Sequence, residues 1–255
     1  MPEASLYAID AAPEAAPSEP MSPPVSLAEQ ELIEFSYIVS HDLAASLRYI
    51  AEFSQLMVRD LGDEASEVQR SCAKHIQLST DKCRLMMDQL LAYSRVQQRP
   101  LKLVRSNVTR LVELAVLQLS AETRAANADI TIEPLGEHMI DGELMTLALK
   151  HALANAIKFA RPGVPPRIDV RGSEDASEWR VRITDNGIGA PLERQEKLFR
   201  MFYQDHPENT YPGVGAGLAI CRRILRRHGG DAHFLGAQGD GACFEIHMPH
   251  LDMPS

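Results

Sequence analysis

Cysteine is scarce in this chain of 255 residues: Cys72, Cys83, Cys221 and Cys243, with no CxxC pair among them. That spacing offers no disulfide framework and reads as a reduced, cytosolic protein. No stretch approaches the roughly 18 consecutive apolar residues that a membrane span requires. Positive charge is also in deficit, with 26 Lys and Arg against 35 Asp and Glu and a net charge of −9, which argues against nucleic acid as the main partner. Residues 1–26 lack a basic n-region and are rich in Ala, Pro, Glu and Ser, so they read as a disordered tail rather than a signal peptide. No internal repeat is evident. Apart from His41 and His151, the histidines (His75, His138, His206, His228, His233, His247 and His250) show no metal-ligand spacing.

The length suits two small domains. From Leu32 to Met57 the apolar residues Leu32, Phe35, Val39, Leu43, Ile50, Phe53 and Met57 recur at three- and four-residue steps, the period of an amphipathic helix. At about 100° per residue they form one stripe, with His41 about 180° from Leu32 and Ile50. His41 is therefore expected to face solvent, with Asp42 beside it. A surface histidine fits this position; so does a nucleophilic imidazole whose ring proton the neighbouring carboxylate accepts. A second helix is expected over 65–96, with Val68, Cys72, Ile76, Cys83, Met86, Leu90 and Tyr93 near one face. Turn chemistry at 60–63 would fold the two into an antiparallel hairpin. Such a hairpin has too little core to stand alone, so two copies packed as a four-helix bundle, a homodimer, are expected.

Beyond Pro100 the pattern changes. Helices are expected over 108–121, 141–160 and 217–228. Strands are expected over 130–132, 167–171, 179–184, 232–235 and 242–248, giving helices on one face of a mixed sheet. Asp185 follows a strand directly, and Gly187 and Gly189 let a flat ring approach the backbone. This pattern alone also fits a plain turn or a calcium loop. Asn155 and Lys158 lie one turn apart on one helix, an oxygen ligand and a cation on what could otherwise be a solvated face. Gly213, Gly215 and Gly217 open a helix whose amides form an anion site, although a flexible loop has the same composition.

Taken together, the chain from Leu27 to Pro249 resembles a sensor histidine kinase of bacterial two-component systems. The phosphoacceptor box matches 35–48, the asparagine box 151–159, the first glycine box 185–189, the phenylalanine box 197–202 and the second glycine box 213–220. More loosely, Ser40-His41-Asp42-Leu43 and Tyr211-Pro212-Gly213 look like kinase modules found behind phytochrome-type sensors. The resemblance implies an α+β chain: a dimeric phosphoacceptor hairpin over 27–98, then a two-layer ATP-binding domain over 101–250. It implies that His41 is phosphorylated from ATP with Asp42 as general base, and that a response regulator receiver domain then takes the phosphoryl group. Asn155 would bind Mg2+, Lys158 would contact phosphate and Asp185 would select adenine. Gly187, Gly189, Gly213, Gly215 and Gly217 would shape the cleft, and 191–212, including Phe199 and Phe202, would form a mobile lid. Catalysis would be mostly positioning and charge neutralisation.

Three positions depart from the family pattern. His151 stands where an asparagine or acidic residue is usual, and imidazole is a poor Mg2+ ligand. Ser46 replaces a helix-kinking proline, and Ala45 replaces the Thr or Asn expected where phosphatase activity is strong. The 26-residue tail is expected to leave no room for a sensor domain, so control by a separate sensor protein, control by modification, or origin as a piece of a longer chain is expected, and Met1 favours the first two. The alternative is a phosphotransfer adaptor or pseudokinase whose ATP-binding domain has degenerated.

Overall fold

The computed structural model describes residues 27–205, 211–235 and 241–250, with side chains from Leu43 onward. Two long helices come first, α1 (Leu27–Leu61) and α2 (Glu67–Gln98), joined by a 3-10 turn over Gly62–Glu64. Gly62 takes φ +53 at the reversal, a left-handed conformation that costs glycine nothing. Ser66 and Gln69 then form a reciprocal capping box at the start of α2, an arrangement that contributes about 1 kcal/mol.

Within the hairpin, α1 turns Ala44, Leu47, Ala51, Ser54, Val58 and Leu61 inward. The partner face of α2 presents Ala73, Ile76 and Thr80. The stripe singled out from periodicity lies beside this seam. Leu43, Ile50, Phe53 and Met57 are exposed, at 49%, 52%, 67% and 51%, as are Val68 and Cys72 on α2. Two helices cover only one flank of each other, and small residues let them approach on the flank where Ala44 and Ala51 sit. The larger apolar flank is left uncovered by the described residues. The orientation expected for His41 and Asp42 falls on side chains outside the described residues, as does the tail over 1–26.

The remainder is a two-layer α/β unit. A short ribbon pairs β1 (Val104–Asn107) antiparallel with β3 (Glu137–Ile140). The main sheet has the order β2-β4-β5-β7-β6, made of β2 (Asp129–Ile132), β4 (Arg167–Glu174), β5 (Glu178–Asp185), β6 (Asp231–Leu235) and β7 (Ala242–Pro249). Its strands are antiparallel except for β2 beside β4. Helices α3 (Val108–Gln118), α5 (Gly142–Lys158) and α6 (Gly217–Arg227) contribute to one core, and a short α4 (Ser120–Ala126) follows α3. Alternate strand residues Ile168, Val170, Val181, Ile183, Ile246 and Met248 meet Leu149, Leu153, Ile220 and Ile224 there, all fully buried. Each such side chain removed from water stabilises the unit by about 1.5–3 kcal/mol.

The two parts are joined tightly. Arg223 lies over the Tyr93 ring at 5.3 Å, and Arg227 donates to the Val96 carbonyl. Asp141, 1% exposed, caps α5 through Leu144 N at 3.1 Å. Its carboxylate also accepts from Arg99 Nη2 and from Lys102 N at 3.0 Å, while its own N–H donates to His228 Nε2 at 3.1 Å. The end of α2, the start of α5 and the end of α6 thus converge on one buried residue, Asp141.

Candidate functional site

A cavity of about 280 Å³ opens between α5, the end of β5 and the segment leading into α6. It is lined by Asn155, Lys158, Asp185, Gly189, Gly213, Gly215 and Gly217, with His151 on the same wall. Three stretches separated in sequence therefore meet at one place.

Asp185 ends β5, and its Oδ1 accepts from Gly187 N at 2.8 Å and Ala242 N at 3.2 Å. Both bonds fall on one oxygen, which leaves Oδ2 available to a ligand amine. Burial pushes the carboxyl above its ordinary value, partly offset by those two N–H bonds. Gly187 serves this arrangement from outside the cavity lining. A Cβ there would collide with the Phe159 carbonyl oxygen, which accepts from Ile188 N at 3.0 Å. Arg161 Nε holds the Gly187 carbonyl at 3.1 Å. The glycine loop is thereby pinned to the end of α5.

On α5, Lys158 lies over the Phe159 ring at 4.4 Å, and its amine is 3.7 Å from where a Cβ of Gly213 would sit. Burial lowers its pKa from the ordinary lysine value, and an anion bound at the cleft would restore it. His151 packs its Nδ1 edge on Gly217 at the first turn of α6. Burial pushes the imidazole down to about 4, so it is neutral near pH 7.

Gly215 takes φ +74, and a Cβ on it would collide with the Tyr203 carbonyl. Its own carbonyl accepts from Phe202 N at 2.9 Å, which ties the segment around Phe202 to the second glycine stretch. Phe202 itself has φ +64, an uncommon conformation for a residue with a side chain. Phe199 and Phe202 are not among the lining residues. Phe199 is buried, packs on Phe244 and carries the Arg222 guanidinium over its ring at 4.5 Å. These aromatics anchor the segment, and Leu198, Tyr203, Gln204 and Asp205 face the cavity instead. The segment 206–210 lies outside the described residues.

Sequence reasoning missed two lining residues, Leu85 and Gln89 of α2. Their spacing of four marks one helix face, but nothing in the local sequence says that this face borders a cleft built by another part of the chain. Tyr211, tilted against Phe159 at 4.8 Å, was likewise not singled out as a wall of the cavity.

Residues 140–252 match the family of histidine kinase-, DNA gyrase B- and HSP90-like ATPases. The chain as a whole is a relative of sensor histidine kinases, as its sequence motifs imply. It is 29% identical over 219 residues to cyanobacterial phytochrome A of Nostoc sp., covering 86% of this chain and 28% of that protein. It therefore spans less than a third of the length of the phytochromes it matches. The full-length crystal structure of ShkA in complex with AMPPNP shares the fold with a TM-score of 0.62 at 21% identity, over 87% of this chain and 47% of that one. Histidine kinase ThkA in complex with response regulator protein TrrA gives 0.60 at 19% identity, over 88% of this chain and 64% of that one.

The donor set fits a nucleotide: a carboxylate oxygen for an amine, a lysine and exposed amides for phosphate, and an apolar wall for a ring. It fits Mg2+ only in part. Asn155 offers an oxygen, whereas His151 offers a nitrogen that this ion accepts poorly.

Proposed function

We propose that this chain is an ATP-dependent protein-histidine kinase that phosphorylates its own His41 and passes the phosphoryl group to an aspartate of a response regulator receiver domain. The observation that carries this reading is the height of the cleft on the hairpin. Gln55 donates to Gln77 across the hairpin at 2.7 Å, and in an antiparallel pair that register levels Gln89 with Leu43. Gln89 borders the cavity, and His41 is two residues from Leu43, roughly 3 Å of helix rise. The backbone of the phosphoacceptor residue and the mouth of the nucleotide cleft thus lie at one level.

In this reading the hairpin over 27–98 is the dimerisation and phosphoacceptor domain, and 101–250 is the ATP-binding domain. Asp185 Oδ2 accepts from the adenine amine. Lys158 and the amides at the start of α6 hold the phosphates, with Asn155 as the oxygen donor toward a divalent ion. An imidazole nitrogen of His41 forms the N–P bond while the bond from γ-phosphorus to the bridging oxygen breaks and ADP leaves; Asp42 takes the ring proton. The uncovered apolar flank carrying Ile50, Phe53 and Met57 suits a second copy, making a homodimeric four-helix bundle. The complex of the related fold of ThkA with a response regulator supports the proposed recipient of the phosphoryl group.

Incubation with labelled ATP and a divalent ion tests the reading. An acid-labile, base-stable adduct is expected, absent in His41→Gln and in Asn155→Ala. Nucleotide binding that leaves His41 unlabelled under every metal tried would overturn the kinase assignment. Failure to bind nucleotide at all would favour a phosphotransfer adaptor.

A further inference from the structure

We propose that His151 is a metal-selecting residue, which makes the cleft prefer a nucleotide carrying a transition divalent ion such as Mn2+ over one carrying Mg2+. The proposal rests on the nucleotide reading above and concerns the same cavity. His151 and Asn155 are four residues apart on α5 and so share a face, and both line the cleft. Between them they present one imidazole nitrogen and one amide oxygen.

The remaining nearby groups do not supply a hard-ion site. Asp185 commits Oδ1 to Gly187 N and Ala242 N at the end of the cleft assigned to the base, and Asp205 commits Oδ1 to Arg194 Nη1 and the Tyr203 hydroxyl. Lys158 brings a positive charge. Among the described residues no group of three or more His, Cys, Asp and Glu could hold a metal, so any ion here must take much of its coordination from the nucleotide phosphates and water. The protein's part is then small, and the identity of its one or two donors weighs heavily on which ion is kept.

His151 is suited to that part. Its Nδ1 edge rests against Gly217, a position where a side chain would press on the ring, so the imidazole is fixed between two helices. Mg2+ prefers an all-oxygen octahedron and binds imidazole weakly, whereas affinity for a nitrogen donor rises along the first-row divalent ions. A second asparagine at position 151 would supply an oxygen and remove that bias.

The test is direct titration of ADP into the full chain in Mg2+ and in Mn2+, alongside His151→Asn, with electron spin echo spectra of the Mn2+·ADP complex. Wild type is expected to bind ADP about tenfold more tightly with Mn2+ than with Mg2+, a ligand-sized effect, and His151→Asn to bring the two affinities together. Labelling histidine with the heavy nitrogen isotope should change the nitrogen coupling in the wild-type spectrum, a readout that needs no variant. Equal metal preference in the two proteins, or a spectrum indifferent to the label, would overturn the proposal while leaving nucleotide binding intact. Absence of ADP binding under both metals would overturn the nucleotide reading and this inference with it.

Discussion

Replacing Asp185 by asparagine should separate ligand binding from stability, because the same burial that equips the carboxylate for recognition works against the fold. Asp185 has its pKa raised by burial, with the Gly187 and Ala242 N–H bonds opposing the shift. Between pH 3.8, the ordinary value, and that raised value, the folded chain holds more protons than the unfolded chain, so stability falls as pH rises through the window. At neutral pH the charge is present in the fold at a cost. An amide at this position can still accept from Gly187 N and Ala242 N through its oxygen, which puts its NH2 group where Oδ2 was. Asp185→Asn should therefore raise stability at pH 7 by on the order of 1 kcal/mol, as relief of a strained functional site commonly does. The gain should shrink in acid. Nucleotide binding should move the other way, since the new NH2 opposes the adenine amine and a charge-assisted bond of about 1.5–3 kcal/mol is lost, roughly 10- to 150-fold in affinity. Thermal denaturation of the free protein, paired with calorimetric titration of ADP, reads both. Unchanged ADP affinity would refute the assigned role of Asp185, and a loss of stability would refute the account of its burial.

Asp141→Ala removes the N-cap of α5 and one partner of a buried pair, and should cost about 3 kcal/mol in chemical denaturation. Although burial raises the Asp141 pKa, N–H bonds from Lys102 and Leu144 and the charge of Arg99 bring it below the ordinary value. Its contribution is complete above pH 3.8 and disappears as pH falls through the depressed pKa, so wild type and Asp141→Ala should converge in strong acid. Gly215→Ala forces a Cβ onto the Tyr203 carbonyl at φ +74. It should loosen the junction of Phe202 and Gly215 and weaken ADP binding by roughly tenfold or more, measurable with a fluorescent nucleotide.

The site was more legible than its surroundings. Asn155, Lys158, Asp185 and four of the glycines were readable because their chemistry is local: a carboxylate at a strand end, donors one turn apart, glycines at tight turns. Helices α5 and α6 and the antiparallel strands followed from period and caps. The ribbon of β1 and β3 escaped notice because Val104–Asn107 and Glu137–Ile140 do not alternate between buried and exposed residues, unlike β2, which is equally short. Periodicity located an apolar flank on α1 but could not tell it from the adjacent seam of Ala44, Leu47 and Ala51, since small residues that permit close packing carry little hydrophobic signal. Phe199 was placed over the ligand on its position in a motif, whereas its bulk is accommodated in the core beside Phe244.

Leu85 and Gln89 give the cavity a wall that the ATP-binding module does not itself encode. A fragment starting at Leu101 would retain the cleft glycines and Asp185, yet one side of its pocket would be open to water. Affinities measured on such an excised piece would describe a different vessel from the one the intact chain offers.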